Sequence, residues 1–195
     1  LNVSPEALLE TREQFGVQGK FVLAVGTLEP RKNIPTLIEA FNNIAPSHDV
    51  ELVLAGPIGW GVTPEELLAS LDEAAKNKIR IIGEVTTAQL AALYTDASAF
   101  CYPSLLEGFG LPVLEAMSYN TPVVTSKGTA TEEVAGDAAL MVDPASVDEV
   151  SDALDFLLTS ESEAQKLADR GYQRSKTFSW DATAAATVDV YRKLT

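Results

Sequence analysis

The apolar residues of the chain fall into short runs that alternate with stretches of helical periodicity. The runs that predict β-strands cover residues 21–25, 51–55, 79–82, 99–102, 121–125 and 138–142. Their residues are largely apolar throughout instead of alternating with polar ones, which is typical of strands covered on both faces. Most of the runs end at a glycine or a proline, where a turn is expected.

Between and after these runs, apolar residues recur at helical spacing. The predicted helices cover 35–45, 64–76, 87–95, 112–119, 147–158, 162–177 and 182–194, and a further one begins near Ser4. Strands that alternate with helices favour parallel pairing. The predicted fold class is therefore α/β, a doubly wound, Rossmann-like parallel sheet followed by C-terminal helices. Since no repeat and no Gly/Ser linker interrupts the pattern, residues 1–195 are predicted to form a single domain.

The composition excludes several kinds of partner. The formal net charge of −14 would repel nucleic acid and anionic lipid, so neither is expected as a direct partner. No apolar run reaches the roughly 18–20 residues that span a bilayer, so no direct membrane insertion is predicted. Cys101, the one cysteine of the sequence, lies in an apolar run, which predicts a buried thiol in a reducing compartment.

The turn after the first predicted strand carries a pair of basic residues. Ligands of doubly wound sheets bind beyond the carboxyl ends of the strands. There, Gly26 opens a turn that ends in Arg31 and Lys32, followed by Asn33, which is interpreted as the cap of the next helix. A helix dipole disfavours cations at this end, so two adjacent bases indicate an anionic ligand. A solvated basic pair on a loop is an equally good interpretation.

Other kinds of chemistry find little support. The turn at 56–61 is rich in glycine, but such turns are common in α/β proteins. The dinucleotide fingerprint G-x-G-x-x-G and the P-loop are absent, which argues against a nicotinamide dehydrogenase and a P-loop NTPase. His48 is the only histidine and lies in a polar connection, and no D-x-D pair or Cys/His cluster occurs, so no metal site is predicted.

The most specific signal is a pair of carboxylates around a glycine-rich turn. Glu107 precedes this turn, at 108–110, and Glu115 lies in an almost wholly apolar helix, which predicts that its carboxylate is buried. Free amides at the start of that helix predict an anion site, and two carboxylates facing one cleft indicate a clamp for ribose or sugar hydroxyls. The alternative is that Glu107 caps the helix and Glu115 pairs with a core lysine or arginine.

With these motifs, residues 17–195 resemble the C-terminal half of a GT-B glycosyltransferase of family 4, the retaining "group 1" transferases. The resemblance rests on the E-x7-E motif from Glu107 to Glu115. It is supported by the segments at 25–33, 121–125, 133–139 and 178–180. Two positions depart from the family pattern, because Glu132 stands where a proline is usual and Asn120 where a glycine is usual.

The resemblance implies a site for a nucleotide-diphosphate sugar, the donor. By similarity, Arg31 and Lys32 bind its diphosphate, Glu115 binds the ribose hydroxyls, and Glu107 contacts the transferred sugar. The residues so implied are Glu107, Arg31 and Lys32 for catalysis, and Gly26, Arg31, Lys32, Gly108, Phe109, Gly110, Leu111 and Glu115 for donor binding. No cofactor other than the donor and no obligatory metal are implied.

The resemblance also implies a longer enzyme, whose N-terminal acceptor domain is absent from this chain. Residues 1–16 are then expected to form an interdomain helix and 181–195 the C-terminal helix. The expected function is to bind the donor for transfer of a hexose, from GDP-mannose or UDP-glucose, to a glycan or lipid-linked acceptor in polysaccharide biosynthesis. The isolated chain is expected to be inactive, and the expected location is cytoplasmic, with peripheral contact to the inner membrane face left open. The alternative is a non-catalytic nucleotide-binding module.

Overall fold

The computed structural model of the protein describes residues 3–61 and 63–194. Within these ranges, one parallel sheet is formed by strands β1 (Lys20–Val25), β2 (Val50–Ala55), β3 (Ile79–Gly83), β4 (Ala99–Tyr102), β5 (Val123–Ser126) and β6 (Leu140–Val142). The strands lie in the order β3-β2-β1-β4-β5-β6, and every neighbouring pair is parallel. This is the doubly wound fold that the sequence predicted. The strand order reverses between β1 and β4, and their carboxyl ends border the crevice where such folds bind ligands.

Helices cover both faces of the sheet. They are α1 (Pro5–Phe15), α2 (Ile34–Ile44), α3 (Pro64–Leu68), α4 (Glu73–Lys76), α5 (Thr87–Asp96), α6 (Leu111–Ser118), α7 (Ala130–Ala135), α8 (Val147–Thr159), α9 (Glu161–Ser175) and α10 (Trp180–Leu194). One core lies between the sheet and helices α2 and α8, with Phe41 and Leu154 fully buried. The other lies under α5, α6 and α7, with Phe100 and Met117 at its centre.

The structure differs from the predicted elements in several places, and the strand predicted at 138–142 covers only Leu140–Val142. The predicted helix 64–76 is wrong as one helix, because it is divided into α3 and α4, and Asp72 caps the second by accepting from the amide of Ala75. The strand predicted to begin at Thr121 begins at Val123, since the Thr121 amide donates to the carbonyl of Ala116 in α6 and Pro122 has no amide hydrogen. The short helix α7 was not predicted at all.

Two other predictions, on Cys101 and on membrane insertion, can be compared directly with the structure. Cys101 is a fully buried free thiol on β4, and burial raises its pKa, which confirms a structural cysteine. None of the helices in the described ranges combines the length and the apolar character needed to cross a bilayer. Helix α1 packs on α5. That residues 1–16 form an interdomain helix stays a prediction, as does the role of 181–195, of which the structure describes the residues up to 194.

Candidate functional site

The turn after β1 brings two cations to the carboxyl edge of the sheet. Residues Pro30–Lys32 form a single turn of 3-10 helix directly before α2. Lys32 is buried, so the interpretation of this pair as solvated is wrong for it, whereas the Arg31 side chain is 45% exposed. A Cβ added to Gly26, whose φ is +140°, would lie only 3.1 Å from Cε of Lys32. Gly26 therefore belongs to the site as the residue that lets the lysine stem pass.

The glycines of the 56–61 turn have a packing role. A Cβ added to Gly56 would lie 2.2 Å from the carbonyl oxygen of Gly26, and one on Gly61 would lie 2.8 Å from Cγ of Pro30. Real Cβ contacts are not that short, so the turn after β2 packs against the turn after β1 too closely for a side chain at either glycine. This contact explains the glycine-rich sequence without any phosphate.

Glu107, on the loop after β4, joins both cations. Its Oε1 accepts from Nζ of Lys32 at 2.7 Å, from Nη1 of Arg31 at 2.9 Å and from the hydroxyl of Tyr102 at 2.9 Å. Lys32 also donates to the Tyr102 hydroxyl. The side chains of Glu107 and Lys32 are each only 8% exposed. Glu107 is thus not a helix cap but the buried carboxylate of an ion-pair cluster.

The pKa values in this cluster follow from its charges. Burial alone would raise the pKa of the Glu107 carboxyl, but hydrogen bonds from Lys32 and Tyr102 outweigh it and hold the pKa below its usual value. Burial, followed by the negative charge of Glu107, raises the pKa of Tyr102. At neutral pH Glu107 is therefore ionised and Tyr102 is a neutral hydroxyl, so Tyr102 is the donor in their hydrogen bond.

Arg31 is held between two carboxylates. Its Nε pairs with Oε1 of Glu29 at 2.5 Å, while Nη1 bonds Glu107 at 2.9 Å. Burial lowers the pKa of the Arg31 guanidinium, but the negative charges of Glu107 and Glu29 raise it by more. Within the described residues Nη2 has no hydrogen-bond partner. This open donor is the part of the guanidinium that can meet a ligand.

The structure contradicts the burial predicted for Glu115. Helix α6 buries only one face, which carries Val113, Ala116 and Met117, and Glu115 is exposed. Its Oε2 accepts from the buried hydroxyl of Tyr94 at 3.1 Å, so its partner is neither a core lysine nor a core arginine. The apolar sequence of α6 misled the prediction because the outer face of the helix lies against an open groove and not against the core.

That groove runs between α6 and the start of α10. It has a volume of about 530 Å³ and is lined by Phe109, Leu111, Leu114, Phe178 and Trp180, with Glu115 on its wall. Phe109 and Phe178 meet edge to face, with their ring centroids 6.2 Å apart. The Glu115 carboxylate is therefore accessible to a ligand from solvent while the Tyr94 hydroxyl fixes it from behind.

The start of α6 completes the edge of the site. No side chain caps this helix, which begins after Gly110 at a φ of +102°. Among the described residues, none accepts a hydrogen bond from the amides of 108–111. Free amides at a helix N-terminus attract anions. The predicted anion-binding turn therefore directly follows Glu107, the residue that bonds both Arg31 and Lys32.

Sequence reasoning missed three residues that shape the site. Tyr102 is the last residue of β4 and could have been found from its place at the carboxyl end of a strand. Glu29 and Tyr94 act only through neighbours, Arg31 and Glu115, and no sequence pattern points to them. Within residues 3–61 and 63–194, no group of three or more His, Cys, Asp or Glu side chains could hold a metal ion.

A doubly wound parallel sheet, with two cations after β1 and an uncapped helix start after β4, defines an α/β protein of Rossmann-like fold. The family of glycosyl transferases group 1 matches residues 9–174. The O-antigen chain mannosyltransferase B of Escherichia coli is 39% identical over 185 residues, which cover 93% of this chain and 48% of that protein. The MMP alpha-(1->4)-mannosyltransferase of Mycolicibacterium hassiacum is 37% identical over 177 residues, or 88% of this chain and 43% of that protein.

Solved structures show the same fold. Sucrose-phosphate synthase from Thermosynechococcus elongatus superposes with a TM-score of 0.79 at 26% identity, over 95% of this chain and 48% of that one. The chain belongs to the group 1 glycosyltransferases, which confirms the resemblance found in the sequence. It spans about half the length of the curated relatives it matches.

Proposed function

We propose that the chain binds the nucleotide-diphosphate sugar of a retaining glycosyltransferase. The proposal rests on the charged cluster of Arg31, Lys32 and Glu107 at the carboxyl edge of the sheet. The uncapped start of α6 and the exposed carboxylate of Glu115 follow this cluster directly along the chain. The cations and amides match the anionic phosphates of the donor. The Glu115 carboxylate matches the paired hydroxyls of its ribose.

The diphosphate is assigned to the cations and the free amides. Nη2 of Arg31 has no partner within residues 3–61 and 63–194, and Lys32 uses two of its three protons, on Glu107 and Tyr102. A phosphate oxygen can take these remaining donors together with amides of the 108–111 turn. Charge-assisted hydrogen bonds of this kind are roughly twice as strong as neutral ones. In this proposal Glu107 keeps the two cations in place and presents its other oxygen, Oε2, to the transferred sugar.

The ribose is assigned to Glu115. A carboxylate accepts two hydroxyl donors, and Tyr94 already bonds one of its oxygens at 3.1 Å. That bond limits rotation of the carboxylate, so less conformational entropy is lost when the ribose binds.

The finer identity of donor and acceptor is also proposed. Two relatives at 39% and 37% identity are named mannosyltransferases, which favours a hexose donor of the GDP-mannose type over UDP-glucose. We further propose that the acceptor, a glycan or a lipid-linked sugar, is bound by a second domain, because the relatives are about twice as long. No metal is assigned a role, and the proposed setting is the cytoplasm.

Calorimetric titration of the purified chain with GDP, UDP and ADP tests this proposal. One nucleotide should bind with a Kd in the micromolar to low-millimolar range, and Glu115→Ala should weaken it at least about tenfold, as expected for loss of hydrogen bonds to a charged group. The matched control is Glu161→Ala, an exposed carboxylate paired with Lys20 at the amino end of β1, which should bind as the wild type does.

Either of two results would contradict the proposal. The first is a cooperatively folded chain that binds none of the three nucleotides. The second is binding that Glu115→Ala and Glu161→Ala weaken equally. Transfer of a sugar by the isolated chain would rule out the non-catalytic alternative and would show that donor and acceptor sites both lie within these residues.

A further inference from the structure

Asn33 occupies a conformation that needs a structural reason. It is buried, and its φ of +58° and ψ of +35° lie in the left-handed region, which costs most non-glycine residues free energy. It precedes α2 as predicted, but its side chain does not cap that helix. The side chain has other partners.

The amide of Asn33 joins three loops at the carboxyl edge of the sheet. Its Nδ2 donates to the carbonyl of Pro103, after β4, at 3.1 Å and to the carbonyl of Pro144, after β6, at 2.6 Å. Its Oδ1 accepts from the hydroxyl of Thr36 at 2.8 Å. Both protons and the oxygen of the amide are thus used, and no other side chain of similar size offers two donors and an acceptor in this arrangement.

The loops joined in this way carry the charged cluster. Asn33 directly follows Lys32, and Pro103 lies four positions before Glu107. Among the described residues, one backbone hydrogen bond links these same loops, from the amide of Leu105 to the carbonyl of Arg31 at 2.8 Å. The spacing of these loops therefore depends on that backbone bond, on the charged contacts themselves and on the buried Asn33 amide.

We propose that Asn33 is a positioning residue that sets the spacing between the cation turn after β1 and the Glu107 loop after β4. It touches neither a proposed ligand nor the charged groups themselves. Its effect on donor binding rests on the function proposed above, but its effect on the spacing of the loops does not.

The test compares Asn33→Gly with Asn120→Gly. Glycine tolerates the left-handed conformation, so Asn33→Gly removes only the side-chain hydrogen bonds. Asn120 is the other non-glycine residue with positive φ among those described, at +61°, and no hydrogen bond of its side chain is lost when it becomes glycine. The two variants make the same backbone change with and without the loss of side-chain bonds.

The first measurement needs no ligand. The pKa of the Glu107 carboxyl is followed by carbon NMR, with the resonance assigned from Glu107→Gln. In Asn33→Gly the cations should move away and the pKa should rise toward the ordinary value for glutamate, about 4.3, whereas Asn120→Gly should leave it unchanged. A purely structural role would lower the melting temperature of Asn33→Gly without moving this pKa, and that result would overturn the inference.

The second measurement uses GDP and UDP, with the matching nucleosides for comparison. Asn33→Gly should weaken binding of the diphosphate by up to about tenfold, because the two hydrogen bonds that join the loops are together worth roughly that factor. Binding of the nucleoside should be unaffected. Equal weakening of nucleoside and diphosphate would refute the assignment to the cation turn. If the wild type binds no nucleotide, the proposed function fails. The positioning role of Asn33 is then tested by the pKa of Glu107 alone.

Discussion

Replacing Glu107 by glutamine removes the one carboxylate that holds a buried lysine. Glutamine keeps the shape of the side chain and an oxygen that accepts a hydrogen bond, so the change is mainly one of charge. Lys32, with its side chain 8% exposed, would keep its ammonium in a crevice without a negative partner at hydrogen-bond distance. The free energy of unfolding should fall.

The size of the loss follows from the geometry. Two unit charges 2.7 Å apart attract each other by about 6 kcal/mol at an effective dielectric constant of roughly 20. Much of this attraction is offset by the cost of burying the carboxylate, and removing one partner of a buried pair typically costs about 3–5 kcal/mol. Because Arg31 remains 45% exposed and stays hydrated, we expect a loss of about 2–4 kcal/mol for Glu107→Gln.

Urea unfolding at pH 7 measures this loss of unfolding free energy directly. In a chain of this size, a loss of about 2–4 kcal/mol corresponds to a fall in Tm of roughly 5–15 °C. The folded-state pKa of Glu107 is lowered, so its stabilising contribution is complete above the unfolded pKa of about 4.3 and disappears as the pH falls through the folded value. The difference between wild type and Glu107→Gln should therefore shrink in acid.

The control for this measurement is Glu161→Gln, which breaks the exposed pair with Lys20 and should unfold as the wild type does. A loss for Glu107→Gln below about 1 kcal/mol, the range of surface pairs, would refute the reasoning that the carboxylate compensates a buried cation. A difference that stayed constant down to pH 3 or so would refute the assignment of the effect to the charge of Glu107.

Two further predictions concern the turn before α6 and the buried thiol. Gly110→Ala should destabilise the chain by roughly 2–4 kcal/mol in thermal unfolding, because φ is +102° and the new Cβ would lie 2.8 Å from Cγ2 of Thr131. Gly108→Ala, whose Cβ would meet nothing within 4 Å, should unfold as the wild type does, and equal losses would contradict this account. Cys101 should resist a thiol reagent in the native chain and react only as urea unfolds it, since burial raises its pKa; labelling before the unfolding transition would contradict its burial.

The strands were predictable from the sequence because parallel strands covered on both faces must be apolar, and the pattern of runs from 21 to 142 records that requirement. The position of the ligand-binding turns was predictable as well, because ligands of a doubly wound sheet bind beyond the carboxyl ends of its strands. That placed Arg31 and Lys32 on the edge occupied by Glu107, which the structure bears out.

Other features depended on tertiary contacts that no pattern records. The apolar residues of α6 predicted a buried Glu115, but hydrophobic periodicity cannot distinguish a core from a groove lined by Phe178 and Trp180. Asn33 was interpreted as a cap because asparagine is common there, whereas its true partners, the carbonyls of Pro103 and Pro144, lie far along the chain. Charge partners such as Glu29 likewise depend on side-chain geometry alone.

The reversal of strand order between β1 and β4 also bears on the synthesis of the chain. The cations at 31–32 leave the ribosome about 75 residues before Glu107, since the whole β2 and β3 segment intervenes. Until β4 pairs with β1, Lys32 has no carboxylate partner, so burying its ammonium against the first half of the sheet costs free energy. The charged cluster can therefore form only after the chain has been made at least as far as Glu107.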